Sequence, residues 1–209
     1  MFKNTKLYGT ILGIVLFILL ISGLTYAYIT WQSSDINFNM ESDCFVVDYI
    51  KGQNISNNRL YVINEEDFLV GNNITIIDGM ALTTVGLGIN PSCGVTGTGT
   101  IKLDVSSLSN AFVTDKGNSV GALKYKIVEY SSNIYPTVTT EALNGTVFTV
   151  IKEGAITSTG SINLHSMQIN NSSKKEYIII FYLDEVLVQN DAANAIFYGT
   201  ISAEVVQNG

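Results

Sequence analysis

Apolar and polar residues alternate along most of the chain, which is the pattern of strands that bury one face. Ile101, Leu103 and Val105 alternate with Lys102 and Asp104 in this way. Similar patterns predict strands near 44–50, 60–63, 74–77, 123–130, 146–152, 161–164, 176–183 and 195–206. Many short strands at this spacing predict an all-β fold, a single β-sandwich or jelly-roll domain.

Turn residues separate the predicted strands. Asn144-Gly145 lies between two apolar pairs and is the strongest short hairpin signal. Short helical turns are predicted at 64–68, 108–112, 139–143 and 188–194. Beyond the N-terminal segment we find no long helical periodicity, internal repeat or Pro/Gly-rich linker. One β-sandwich domain over residues 41–209 is therefore expected.

The N-terminal segment has a different pattern, because no charged residue occurs from Leu7 to Ser34. Lys3 and Lys6 precede this apolar stretch, and acidic residues follow it. A hydrophobic helix over about 7–31 would partition into a bilayer, and the preceding positive charge would keep the N-terminus inside. The sequence thus predicts contact with a membrane through this helix and export of the remainder.

Two interpretations of this segment stay open. A secretory signal peptide over residues 1–27 would be cut between Ala27 and Tyr28, after the small-x-small pattern Thr25-Tyr26-Ala27. An uncleaved signal anchor would keep the helix, with Tyr26, Tyr28 and Trp31 at the membrane interface. In either case we expect the protein on the outer face of the cell membrane or secreted.

The composition narrows the classes of function. The chain has 209 residues, 46% of them hydrophobic and only 14% charged, with a net charge of −7. This charge argues against nucleic acid as a partner, because phosphate neutralisation needs clustered Lys and Arg. A single histidine leaves few ways to build a His-dependent catalytic or metal site. We expect no enzymatic activity and no cofactor.

Cys44 and Cys93 are the two cysteines of the chain. In an exported protein a minimal even count favours one disulfide, although two buried free thiols remain an alternative.

Other candidate chemistry has simpler structural explanations. His165 is predicted at the end of a strand with no nucleophile indicated nearby, so we interpret it as structural. Ser172-Ser173-Lys174-Lys175 matches S-x-x-K, but we interpret it as a polar hairpin turn. The glycine-rich run 94–99 is followed by a strand rather than a helix, which indicates a flexible loop and not a phosphate site.

Acidic and aromatic residues suggest two further kinds of binding site. The groups Glu65-Glu66-Asp67 and Asp184-Glu185 would suit Ca²⁺, but their spacing matches no calcium loop and a solvated surface is expected. Any two acids would also satisfy a glycosidase, which nothing in the sequence favours. The aromatic residues would serve a glycan-binding face, yet their alternating positions indicate core packing.

The two ends of the chain resemble a known family. The segment Gly23-Leu24-Thr25-Tyr26-Ala27-Tyr28-Ile29-Thr30 is similar to the G-x-T-x-A-[YF]-[FI]-[ST] ending of signal peptides in TasA/camelysin-like bacterial surface proteins. An ER-type signal peptidase cuts those signals. Near the C-terminus, Leu183-Asp184-Glu185 and the strand over 195–204 resemble the same family.

The resemblance implies a β-sandwich or jelly-roll domain on a Gram-positive-type cell surface. Some members are secreted and form biofilm-matrix fibres, in which the freed N-terminal segment adds as a strand to the next subunit. Camelysin-type members were described as proteases, but this chain has no H-E-x-x-H motif and no catalytic residue of the family is carried over.

Residues 28–40 have the strand character that such an exchange requires. Ile36, Phe38 and Met40 alternate with Asn37 and Asn39, so the segment could extend an exposed sheet edge of another copy. The alternative is an ordinary first strand of the same subunit. Three functions stay open: a structural surface protein that binds itself, a monomeric membrane-anchored adhesin or glycan binder whose ligand the sequence does not name, and a hydrolase.

Overall fold

The computed structural model describes residues 29–30, 44–51, 59–70, 73–74, 77, 80–130, 148–170 and 174–208. This part of the chain is built almost wholly from strands, and its longest helix, α1 (Glu65–Phe68), has four residues. The prediction of an all-β fold is confirmed. Across the described residues no helix is both long and apolar enough to cross a membrane.

The larger sheet has β12 (Lys175–Asp184) at its centre. Its strand order is β10 (Thr149–Ala155), β9 (Leu123–Tyr130), β12, β7 (Ala81–Ile89) and β2 (Phe45–Lys51), with every neighbouring pair antiparallel. The short β4 (Val62–Ile63) runs parallel to the end of β12. All side chains of β12 after Lys175 are buried, because both faces of this sheet are covered.

The smaller sheet is antiparallel and has the order β11 (Gly160–Ile169), β8 (Gly97–Leu108) and β13 (Phe197–Gln207). Buried and more exposed positions alternate over most of β8 and β13, as in β8, where Ile101, Leu103 and Val105 point inward. One face of this sheet therefore packs on the core, as the alternation in the sequence predicts.

A single hydrophobic cluster joins the two sheets. Ile179 and Phe181 of the larger sheet belong to it together with Leu103 and Phe197 of the smaller one, and all four are at most 1% exposed. The Phe181 and Phe197 rings lie 6.3 Å apart. Two sheets that share one core fit a β-sandwich.

A second apolar cluster lies on the opposite face of the larger sheet. There Phe68 of α1 packs edge-on against Tyr182, with ring centroids 4.9 Å apart, and Met80 and Val128 belong to the same group. The segment around α1 thus covers an outer face that an isolated two-sheet sandwich would leave in water.

The domain has two distinct ends. What we call the loop end carries the connections over 109–122 and 185–196, which are joined by the Ser109 N–H to Ile196 O bond (2.9 Å). What we call the disulfide end carries Cys44, Cys93 and the last residues of β13, where Gln207 pairs with Gly97 at the start of β8. Strands of both sheets run between these two ends.

The chain enters at the loop end. Strand β1 (Ile29–Thr30) pairs antiparallel with β3 (Arg59–Leu60). Strand β3 is followed in the chain by β4, which pairs with the end of β12. The two residues of β1 belong to the stretch predicted as helix over about 7–31 and form a strand instead. The rest of that helix, the cleavage candidates Ala27 and Tyr28, and the exchange candidates Ile36, Phe38 and Met40 lie outside the described residues.

Several local predictions need correction. Strand β7 was not predicted at all, although it is a central strand. The glycine-rich run is a loop only in part, because β8 already begins at Gly97. A Cβ atom at Gly99 would come within 2.6 Å of Met167 Sδ, so glycine there permits close packing rather than flexibility. Finally, the polar turn before Lys175 joins the two sheets and is not a hairpin.

Candidate functional site

The two cysteines form a disulfide in the structure, with a Cα–Cα distance of 5.6 Å. Cys44 directly precedes β2, and Cys93 ends a 3₁₀ turn over Pro91–Cys93 that follows β7. Asn90 shapes this turn, because its N–H donates to Cys44 O at 2.7 Å and its side chain accepts from Ser92 N–H. The bond therefore fastens the paired ends of β2 and β7 at one end of the domain.

The most prominent polar group in the described structure is Lys126, which the sequence analysis did not single out. Its side chain is 2% exposed and projects from β9 onto the covered outer face. Its Nζ lies 2.8 Å from Glu65 Oε1 of α1 and also forms an ion pair with Glu153 of β10. Tyr182 donates a hydrogen bond to Glu65 Oε2 at 3.1 Å.

The protonation states of this group follow from its contacts. Burial works to lower the pKa of Lys126, but the hydrogen bonds and charges of Glu153 and Glu65 outweigh burial and raise it. The hydrogen bond and charge of Lys126 in turn lower the pKa of Glu153. Burial, together with the Glu65 charge, raises the pKa of Tyr182. The lysine is thus a charged anchor for α1 and not a nucleophile, because a nucleophilic lysine needs a lowered pKa.

A second ion pair lies next to this anchor. Lys124 of β9 bonds Asp184 at the end of β12. Burial works to raise the pKa of Asp184, but the Lys124 hydrogen bond and the N–H groups of Val186 and Leu187 outweigh it, so the pKa is lowered. Asp184 therefore holds the turn that follows β12.

The fold brings the two predicted acidic groups together. Glu65, Glu66 and Asp184 line one open pocket of about 270 Å³ with Asn64 and Val186. Two of the three carboxylates already bond lysines. Within the described residues, no group of three His, Cys, Asp or Glu side chains converges as metal ligands would. The sequence did not predict that the two acidic groups lie close together, but their arrangement in the pocket is not that of a calcium site.

His165 lies in the middle of β11 rather than at a strand end, and its ring is half-buried. It packs edge-on against Tyr177 with ring centroids 5.3 Å apart. Burial lowers the pKa of His165, with a further contribution from the charge of Lys152. In the described part of the chain no hydrogen bond joins the ring to a hydroxyl, thiol or carboxylate group, so the geometry supports a packing role.

The aromatic residues are used mainly for packing. Of the aromatic side chains whose burial the structure describes, Tyr61 is the one that is exposed, at 44%. A sugar-stacking face needs several such rings side by side. The described surface does not present one, and Ser172 and Ser173 lie outside the described residues.

Neither the protein-family models nor the curated proteins contain a match to the sequence. The positions of β1, β13 and the disulfide are therefore the features on which a functional proposal rests.

Proposed function

We propose that this chain is a non-enzymatic, exported structural protein of the bacterial cell surface. In this proposal residues 1–27 direct export and act as a membrane anchor or a cleaved signal, and the remainder folds as one jelly-roll domain. The domain then assembles with copies of itself through the strand segment 28–40. The resemblance at both chain ends and the apolar N-terminal segment support the location.

The topology supports the jelly-roll assignment. From β7 to β13, five of the six connections between consecutive strands cross from one sheet to the other. Such repeated crossing is typical of Greek-key and jelly-roll folds. The disulfide fits an oxidising compartment, because intracellular thiols of mesophiles are kept reduced.

The observation that carries the assembly proposal is the position of β1 beside β13, one of the two edge strands of the smaller sheet as described. Between Thr30 at the loop end and Cys44 at the disulfide end lie 13 residues, including Ile36, Phe38 and Met40. Fully extended, they span about 45 Å, whereas the 11 residues of β13 span about 36 Å. The segment is thus long enough to lie along β13, whether of its own subunit or of a neighbour.

Among the described residues, exchange between subunits would open the short β1–β3 ladder. Strand β1 is held to β3 by two residue pairs, Ile29 with Leu60 and Thr30 with Arg59. A ladder this short contributes little, so the segment can leave its own domain and extend another sheet by β-augmentation.

Charged residues on the apolar face of the segment are expected to abolish assembly. For Ile36→Asp/Phe38→Asp we expect the loss of concentration-dependent polymers, because two carboxylates would be buried without partners. Sedimentation velocity of the protein isolated from cells measures this over a concentration series. Asn37→Asp/Asn39→Asp adds the same charge to the alternate face and is the matched control, which should still polymerise. A wild-type chain that stays monomeric at every concentration would contradict the proposal.

A further inference from the structure

Exposed apolar side chains concentrate at the loop end. Six large hydrophobic residues are exposed in the described part of the chain, and four of them lie at this end. We call these four the apolar rim: Val186 (77% exposed), Tyr61 (44%), Ile196 (40%) and Leu187 (38%). The disulfide end carries Val206, at 59%. Scattered exposed residues are normal on a surface, whereas a group at one pole calls for a partner.

The most exposed member of the rim is presented by an ordered turn. Asp184 Oδ1 accepts hydrogen bonds from Val186 N–H at 2.8 Å and Leu187 N–H at 3.2 Å. The Val188 N–H donates to Asp184 O at 3.0 Å, and the Glu185 N–H donates to Ile63 O at 3.2 Å. The buried carboxylate of Asp184 therefore fixes the turn in which Val186 and Leu187 are exposed.

The chain enters the domain at this same pole. Ile29 pairs with Leu60, the neighbour of Tyr61, and β1 runs antiparallel to β3. Ile29, which pairs with Leu60, is therefore the residue of β1 that lies nearer the loop end. The 28 residues that precede Ile29 include the apolar stretch that begins at Leu7.

We propose that the apolar rim rests on the surface of the lipid bilayer while the N-terminal segment anchors the chain. This inference rests on the proposed membrane location. Tyrosine and aliphatic side chains are favourable at the headgroup boundary. The described residue that is nearest in sequence to the proposed anchor, Ile29, lies at this same pole. Together the four side chains orient the domain upright, with the disulfide end outward.

The charges at this pole determine which lipid the rim accepts. Asp184 is paired with Lys124, and Asp191 accepts bonds from Ser119 and Asn118. The exposed acids Glu66, Asp67, Asp115 and Glu185 share the pole with Lys116. This excess of negative charge favours zwitterionic lipid and repels anionic lipid, and salt should relieve the repulsion.

The full chain with its native disulfide, reconstituted in phosphatidylcholine vesicles, provides the test. A solvatochromic thiol label is placed at Val186→Cys or, as a matched control at the opposite pole, at Val206→Cys. The label at 186 should shift to the blue and lose emission to nitroxide quenchers carried by the lipid, and the label at 206 should do neither. With anionic lipid added, the shift at 186 should shrink at low salt and recover at high salt.

Three results would overturn the inference, and they are distinguishable. If the chain does not float with vesicles, the proposed anchoring fails and the contact fails with it. If the chain floats but both labels report water, the contact alone is wrong. If the label at 186 shifts with protein concentration but is insensitive to lipid quenchers, the rim binds a second copy of the chain instead of lipid.

Discussion

Replacing both Glu65 and Glu153 with alanine is expected to lower the free energy of unfolding by about 3–5 kcal/mol, because an ammonium group would stay buried without partners. Lys126→Met should change it by only about 1 kcal/mol in either direction, since a flexible apolar side chain of similar length replaces the charge. The freed carboxylates can then turn to water, because Glu65 and Glu153 are 42% and 65% exposed. Urea denaturation of the three proteins measures this asymmetry.

The ion pairs of Lys126 also determine how the free energy of unfolding changes at acid pH. The pKa of Glu153 is lowered in the folded protein, so its contribution is present above the ordinary carboxyl pKa of 4.5 and is lost as pH falls through the lowered value. Lys126→Met should flatten this part of the stability curve. If the Lys126→Met variant is destabilised as strongly as the double-alanine variant, the lysine is held by packing of its stem rather than by its charge.

Breaking the disulfide is expected to lower the free energy of unfolding about as much as the double replacement of Glu65 and Glu153. The bond joins residues 49 apart, and closing a loop of that length stabilises a fold by about 4 kcal/mol in the chain-entropy model. Cys44→Ala/Cys93→Ala should therefore unfold at a clearly lower urea concentration than the oxidised wild type. Wild-type protein treated with a reductant should match the variant.

Two controls separate the cross-link from other effects of the substitution. Adding reductant to Cys44→Ala/Cys93→Ala should change nothing, and each single substitution should match the double one. Equal stability of oxidised and reduced wild type would show that β2 and β7 hold their ends together without the cross-link.

The sequence was most informative where one face of a strand is buried. β8 alternates between inward apolar and outward polar residues, and its apolar positions were predicted correctly. β12 was found for a different reason, because an unbroken apolar run indicates a strand covered on both faces. The helical turn at Glu65–Phe68 was also predicted, and Asn64 does accept a hydrogen bond from Glu66 N–H there.

Strand β7 is the central strand that the apolar and polar pattern of the sequence did not predict. Its residues include Thr83, Thr84, Gly86 and Gly88, which neither alternate nor form an apolar run. The strand is nevertheless buried almost throughout, because its neighbours β2 and β12 complete its ladders on both sides. Partners far away in sequence, rather than local propensity, determine this strand.

The Lys126 group was unpredictable for a similar reason. Alternation in β9 places Lys124 and Lys126 on the face opposite the core, and from the sequence alone that face is expected to be exposed to solvent. That face is covered by α1, whose position depends on pairing between residues 62–63 and 183–184. Sequence patterns show which residues share a face but not which distant segment will cover it.

The intact mass of the protein recovered from the cells that make it decides whether the chain is an exported β domain. We expect a surface or medium fraction whose mass is two hydrogen atoms below that of the reduced chain. It starts at Tyr28 if the signal is cleaved and at the N-terminus if the anchor is kept. A fully reduced, full-length chain found only in the cytosol would show that the protein is not exported.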